Sequence, residues 1–370
     1  MHEEELIQVV REAGAEVMAT LPCDRTKDLC TLLPRHFREI SLLREEDGVG
    51  LCAGLALAGR RPVMHIQSSG LGNMLNAILT LPSLYRLPLP VLASWRGVYR
   101  ERIEAQVPFN SRLPGILAAA GIACTEIHTP NDLALAGEVV ADAYEERRPH
   151  VALISPAVWE GEHCDAVVPA PFPLREREVV CDLHRTIHPP VMRRYDAIAA
   201  VAPHLGDALA VANLGVPSKE LYAIRDRPEN FYMLGSYTQA TPIGFGCALG
   251  QERDVVVFDG DGSLLGTAIL PVIASEAPPN LTIIALDNGA FGSTGSQMTH
   301  AWAGADLELI ARGAGFVSTA KVQTPEELVE AYMSGEKGPR FIHAVIAPGN
   351  ADVPNIPLSA LGIRDRFCRC

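Results

Sequence analysis

Asp261 stands in Gly260-Asp261-Gly262, and 24 residues further on, after 263–286, comes Asp287-Asn288-Gly289. One carboxylate and one amide oxygen on glycine-flanked turns suit a hard cation such as Mg²⁺. Such a cation takes few ligands from protein and the rest from phosphate and water. The glycines allow the close backbone approach that a diphosphate needs. Both turns follow short apolar runs, 254–258 and 281–286, which read as buried parallel strands. The segment 263–275 is long enough for one crossover helix. The spacing therefore predicts Asp261 and Asn288 side by side at the carboxyl ends of neighbouring strands, where open α/β sheets bind ligands. The alternative is a pair of ordinary strand-end turns, in which Asp, Asn and Gly are favoured.

The elements that must position these residues alternate between strand and helix. The pattern predicts a helix over 4–13, strands over 16–21 and 39–43, a helix over 48–58 and a strand over 62–67. A Gly-rich turn at 68–73 leads into a helix, and strands follow at 89–94 and 150–155. Residues 1–165 thus form one unit, and a Pro-punctuated stretch, 166–190, reads as a linker. A second unit, 191–370, repeats the logic with strands over 208–212, 255–258, 281–286 and 341–346. The fold class is α/β, with two doubly wound, mainly parallel sheets. Gly48, Gly50 and Gly54 are echoed by Gly244, Gly246 and Gly250. Neither set is a GxGxxG fingerprint, and small residues at helical spacing allow close helix packing.

Composition narrows the function. At 370 residues, 48% hydrophobic and only 20% charged, the chain has large cores and surface to spare for partner subunits. A net charge of −13 argues against nucleic acid or an anionic membrane as partner. The nine cysteines include no Cys-x-x-Cys, which reads as reduced thiols in a cytoplasmic protein. No apolar run reaches the length of a membrane span, and no signal peptide is visible. His65, inside an expected strand, reads as a hydrogen-bonded core histidine. His300 lies close enough to the Asn288 turn to approach a substrate or to be an ordinary surface residue.

The Gly-Asp-Gly to Asn spacing resembles the thiamine diphosphate motif. Over nearly the whole chain the sequence is similar to the sulfopyruvate decarboxylase family, with its two usual subunits fused head to tail. The segments that carry the resemblance include 44–50, 67–73, Trp95-Arg96-Gly97, 218–222, 225–236 and Asn355-Ile356-Pro357-Leu358. Phosphonopyruvate decarboxylase is a sister family with much the same signature. The resemblance implies a pyrimidine-binding first unit, a diphosphate-binding second unit, and thiamine diphosphate with Mg²⁺. It implies decarboxylation of a small 2-oxo acid, 3-sulfopyruvate, on the route to coenzyme M. It also implies a homodimer or homotetramer with active sites at subunit interfaces.

Residue by residue, the resemblance implies Glu45 as the catalytic carboxyl beside the pyrimidine, with Glu46 as runner-up. The alternative for Glu45, Glu46 and Asp47 is a solvated charge run at a helix N-terminus. Gly235, Ser236, Gly260, Asp261, Gly262, Ser263, Asn288 and Ala290 would bind cofactor, with Asp261, Asn288 and Ala290 on the metal. Arg96 would meet the sulfonate, with Gln67, Asn73 and Gln106 as further substrate contacts. Three departures stand out. Tyr237-Thr238-Gln239 follows Gly235-Ser236 where the family has Gly-Ser-Met-Gly, Pro271 interrupts the crossover helix, and Asn288-Gly289-Ala290-Phe291 replaces Asn-Gly-Val-Tyr. The alternatives are phosphonopyruvate decarboxylase or another 2-oxo-acid lyase or carboligase, and, on the ground of the first departure, a homologue that binds cofactor without turnover.

Overall fold

A computed structural model describes residues 1–161 and 187–370; most of the expected linker, 166–186, lies outside the described residues. Two six-stranded sheets, parallel throughout, organise the chain. The first has the order β2-β1-β3-β4-β6-β5, from β1 (Val17–Thr20), β2 (Arg38–Ser41), β3 (Pro62–Gln67), β4 (Leu89–Ser94), β5 (Ala123–Ile127) and β6 (Pro149–Ile154). The second uses β7 (Leu209–Ala212), β8 (Asn230–Tyr232), β9 (Val255–Gly260) and β10 (Leu281–Asp287). Its order, β13-β14-β10-β9-β7-β8, is completed by β13 (Ser318–Val322) and β14 (Arg340–Val345). A two-stranded antiparallel ribbon, β11 (Ala290–Phe291) with β12 (Gln297–Met298), stands beyond β10. No helix among the described residues is long and apolar enough to cross a membrane.

The central strands are the apolar runs of the sequence. Every residue of β4 is buried, as helices on both faces of a parallel sheet require. Strands β5, β8 and β13 are additions to the expected set, and all three lie at a sheet edge. An edge strand is covered on fewer sides, so Ser318-Thr319-Ala320-Lys321-Val322 carries no apolar run to announce it.

Two other expectations need correction. The Gly-rich segment 68–73 is only briefly a turn, because the helix Gly70–Ile78 already begins at Gly70. The single crossover helix is two short ones, Asp261–Leu265 and Leu270–Glu276. Pro271 occupies the first turn of the second helix, where its missing N–H costs no hydrogen bond.

The two glycine-rich helices, Glu45–Leu57 and Ala240–Gly250, pack directly on each other and join the sheets. A Cβ on Gly54 would lie 2.0 Å from the Ile243 carbonyl oxygen, and one on Gly246 would lie 2.2 Å from that of Leu51. Backbone therefore meets backbone at the crossing. Gly50 N–H donates to Gln239 Oε1 at 3.1 Å, which ties the Tyr237-Thr238-Gln239 turn to the first half.

Candidate active site

Strands β9 and β10 are adjacent, with Gly260 opposite Leu286. Asp261 and Asn288 therefore leave neighbouring strand ends together, as the spacing predicts. Both are buried and both line one cavity of about 160 Å³. Asn288 Oδ1 accepts from Ala290 N–H at 3.0 Å, and Gly289 at φ +62 makes the turn that permits it. Gly262 leaves room for the Phe291 ring, whose Cε1 would be 2.4 Å from a Cβ there. Burial pushes the Asp261 carboxyl up to about 6; Thr299, which donates to it, works against that shift, and nearby Asp287 adds to it. No cationic side chain among the described residues pairs with Asp261. The Ser263 hydroxyl is buried without a hydrogen bond of good geometry, although it leans toward the Asp259 carboxyl. A divalent cation with a phosphate group would answer both deficits, so the residues present fit a Mg²⁺–diphosphate group.

Gly260, Gly262, Ser263 and Ala290 also line this cavity. Gly235 and Ser236 do not. The structure sets them against the first half, with Ser236 Oγ 2.7 Å from Thr80 Oγ1. It is the next residue, Tyr237, that enters the cavity lining and donates from its hydroxyl to the Gly262 carbonyl. Sequence reasoning also missed Asn213, Arg194 and Thr299. Arg194 is buried against Glu220 at 2.7 Å and reaches Asn350, which in turn holds the Gly292 carbonyl. Only the Ser218-Lys219-Glu220 segment hinted at this support.

The acidic run at 45–47 is not a solvated face, since each acid has its own task. Asp47 is buried and accepts from Thr267 Oγ1 and Ala268 N–H of the second half at 2.8 and 2.9 Å. Glu46 pairs with Arg44 at 2.8 Å. Glu45 is half-buried at the first position of its helix. Asn73 Nδ2 donates to Glu45 Oε2 at 3.1 Å, so Asn73 holds the carboxylate.

Gln67, Gln106 and Arg96 meet in one network at the carboxyl ends of β3 and β4. Gln67 Nε2 donates to Ser69 Oγ at 3.0 Å and to Gln106 Oε1 at 3.3 Å. Arg96 is not a free cation. Its guanidinium makes a two-point pair with Glu101 at 2.7 and 2.9 Å and further bonds to Asp24 and Gln67 at 2.6 and 3.1 Å. The pair with Arg96 holds the Glu101 carboxyl well below the usual range. His300 is exposed and does not line the cavity, although its neighbour Thr299 touches Asp261. His65 is a core residue, but only half satisfied. Nδ1 lies 4.0 Å from Cys30 Sγ, and Nε2 has no hydrogen-bond partner among the described residues.

Comparison with known proteins identifies the class. Residues 2–112 match the N-terminal thiamine pyrophosphate-binding domain of thiamine pyrophosphate enzymes, and 215–344 match the C-terminal one. The fold is shared with benzoylformate decarboxylase from Polynucleobacter necessarius, at 12% identity, a TM-score of 0.71, and 96% and 99% coverage of this chain and that one. The sequence is 50% identical to a sulfopyruvate decarboxylase of Methanosarcina acetivorans over 99% of this chain and 96% of that protein. Separate subunits align with parts of it. A sulfopyruvate decarboxylase beta subunit of Methanothermobacter thermautotrophicus is 44% identical over 48% of this chain and 95% of its own length. An alpha subunit of Methanococcus maripaludis is 30% identical over 42% and 96%. The chain belongs to the sulfopyruvate decarboxylase family of thiamine pyrophosphate enzymes.

Proposed function

We propose that this chain decarboxylates 3-sulfopyruvate to sulfoacetaldehyde and carbon dioxide, the sulfonated aldehyde serving coenzyme M synthesis in the cytoplasm. The observation that carries the reading is the buried, cation-less Asp261 beside Asn288 at adjacent strand ends, in a chain with both thiamine pyrophosphate-binding domains. Asp261, Asn288 and the Ala290 carbonyl would hold Mg²⁺, and Gly260, Gly262 and Ser263 would face the diphosphate. Gly235 and Ser236 serve the same site by anchoring the turn that carries Tyr237. When bound, the cofactor supplies the electron sink for the departing carboxylate's electrons. Glu45 would be the carboxyl placed to exchange a proton with the pyrimidine ring of the bound cofactor.

Arg96, Gln67 and Gln106 would take the substrate. Asp24, 62% exposed, accepts from the Nη1 edge of the Arg96 guanidinium, where a sulfonate would displace it. Two observations support a homodimer or homotetramer with shared sites. Glu45 is absent from the lining of the Asp261 cavity. Large apolar side chains also stand exposed around that cavity: Tyr237, Phe291, Met298 and Trp302.

The test is carbon dioxide release from sulfopyruvate, phosphonopyruvate and pyruvate, with and without thiamine pyrophosphate and Mg²⁺. Cofactor-dependent release, fastest from sulfopyruvate, is expected, and Glu45→Gln should abolish it while cofactor still binds. Cofactor binding with no release from any of the three acids would leave a binding protein rather than an enzyme.

A further inference from the structure

At the opposite end of the sheets from Asp261 lies a larger cavity, about 630 Å³, that the decarboxylation does not use. Its walls come from the residues just before β3, β4, β6 and β9, from Leu209 at the start of β7, and from the helix Ala360–Phe367. Among the described residues six arginines line it, Arg60, Arg61, Arg86, Arg147, Arg253 and Arg364, against a single acidic side chain, Asp365, which pairs with Arg364 at 2.5 Å. In a chain of net charge −13 such a concentration of one sign is the reverse of the surface average.

The six divide into two groups. Arg61, Arg253 and Arg364 are fixed by backbone carbonyls, Arg364 through Tyr85 and Arg86, Arg253 through Asp207 and Arg61 through Ala13 and Gly14. Arg60 spends one donor on the Gly250 carbonyl. Arg86 and Arg147 are exposed, and no hydrogen bond or ion pair engages either guanidinium among the described residues. Both also sit at positive φ, +49 and +51, directly after a helix, where glycine is the usual residue. Arginine at that position costs backbone energy that no side-chain hydrogen bond among the described residues offsets, the Arg147 charge acting on Asp365 only at longer range. Between the cations the wall is apolar, with Leu57, Leu87 and Phe367.

We infer that this cavity is a binding site for a phosphorylated small molecule of nucleotide size, a nucleoside polyphosphate. Guanidinium groups converging on one space match the oxygens of phosphate, and the apolar wall matches an organic portion. The volume is that of a small-molecule site. Arg86 and Arg147 close on the phosphates, and Arg60, Arg61 and Arg253 supply a preset positive field, while Arg364 is already paired with Asp365. The ligand would touch both halves of the chain, since Arg60 and Arg147 belong to the first and Arg253 and Arg364 to the second.

The experiment is calorimetric titration of ATP, with adenosine as the uncharged comparison. The protein is first saturated with thiamine pyrophosphate and Mg²⁺ so that the diphosphate site is occupied. ATP should bind and adenosine should not, and ATP binding should weaken as salt rises. The double variant Arg86→Ala/Arg147→Ala should weaken ATP binding at least about tenfold, one factor of ten being about 1.4 kcal/mol, with an unchanged melting temperature. Asp261→Asn should bind ATP like the parent, which separates this site from the cofactor site. No ATP binding by the parent, or equal binding by the double variant, overturns the inference.

Discussion

Asn73 Nδ2 donates to Glu45 Oε2 at 3.1 Å, and the other flank of that carboxylate rests on the bare Cα of Gly70, where a Cβ would come within 2.4 Å of Glu45 Cγ. Asn73 and Gly70 lie within one turn of the same helix and hold the carboxylate from two sides. Because Asn73 is exposed, removing its amide does not open the core. A hydrogen bond to a charged group is worth roughly 1.5–3 kcal/mol. Asn73→Ala should therefore lower kcat by about ten- to a hundredfold, with little change in KM or melting temperature. An unchanged kcat in steady-state assays would remove Asn73 from the support of Glu45.

Gly70→Ala tests the other flank. Alanine is the better helix former, so helix propensity alone predicts a slightly more stable protein. The methyl group, however, claims the space of the Glu45 carboxylate and must turn it aside. Activity should fall further than in Asn73→Ala while the melting temperature holds or rises. Full activity in a folded Gly70→Ala protein would mean that the carboxylate works from another rotamer.

The sheet centres and the Asp261–Asn288 juxtaposition were legible in the sequence for one reason. Buried parallel strands must be continuous apolar runs, and a short crossover forces their ends together. Three of the four edge strands were not legible; Ser318–Val322, for one, is partly exposed and needs no apolar signature, whereas β2 at the remaining edge falls on the expected strand 39–43. Nor was the state of Arg96. Its partner Glu101 lies five residues on in an irregular segment, where no periodicity links the two. The turn at 235–239 stands out in the sequence as a departure, but its consequence is visible only in three dimensions. Thr238 takes φ +72 at the position where the family has glycine, and Tyr237 is thereby aimed at the Gly262 carbonyl.

The Arg96–Glu101 pair changes what Arg96→Ala can reveal. Both side chains are buried, at 2% and 4% exposure, so the variant leaves Glu101 with only the more distant Arg25, at 3.7 Å, and backbone N–H groups. Breaking such a pair from one side costs about 3–5 kcal/mol, and the loss of stability would mask any effect on substrate. Asp24→Asn is the cleaner probe, because Asp24 is exposed and only competes for the guanidinium. Its KM for sulfopyruvate should fall severalfold while that for pyruvate stays put. Equal changes for both acids would take Arg96 away from the sulfonate end.

Two glycines, one at the helix crossing and one away from it, carry predictions of opposite sign. Gly54→Ala drives a methyl into the Ile243 carbonyl and must push the helices apart, with a destabilisation of about 3 kcal/mol. Gly115 lies inside the helix Leu113–Ala119 without a positive φ, and a Cβ added there would meet nothing within 4 Å. Gly115→Ala should stabilise by up to about 1 kcal/mol. Urea denaturation of the two variants beside the parent checks both, and equal midpoints for all three would show that the crossing tolerates a wider separation.

His65 sets part of the acid limit of the fold. Burial lowers its pKa from the ordinary 6.5 to about 4, and among the described residues Nε2 has no hydrogen-bond partner to offset that burial. The folded state thus binds fewer protons than the unfolded one between these two values. Stability contributed by the neutral ring is complete above pH 6.5 and is lost as pH falls toward 4. The gap corresponds to a loss on the order of 3 kcal/mol. Replacing the ring by an apolar side chain in His65→Leu removes this titration, so the difference in unfolding free energy between variant and parent should move in the variant's favour as pH falls from about 7 to about 4. Urea midpoints at half-unit pH steps would show it. A difference that stays constant across that range would mean that His65 remains neutral in the unfolded chain or finds a partner on protonation.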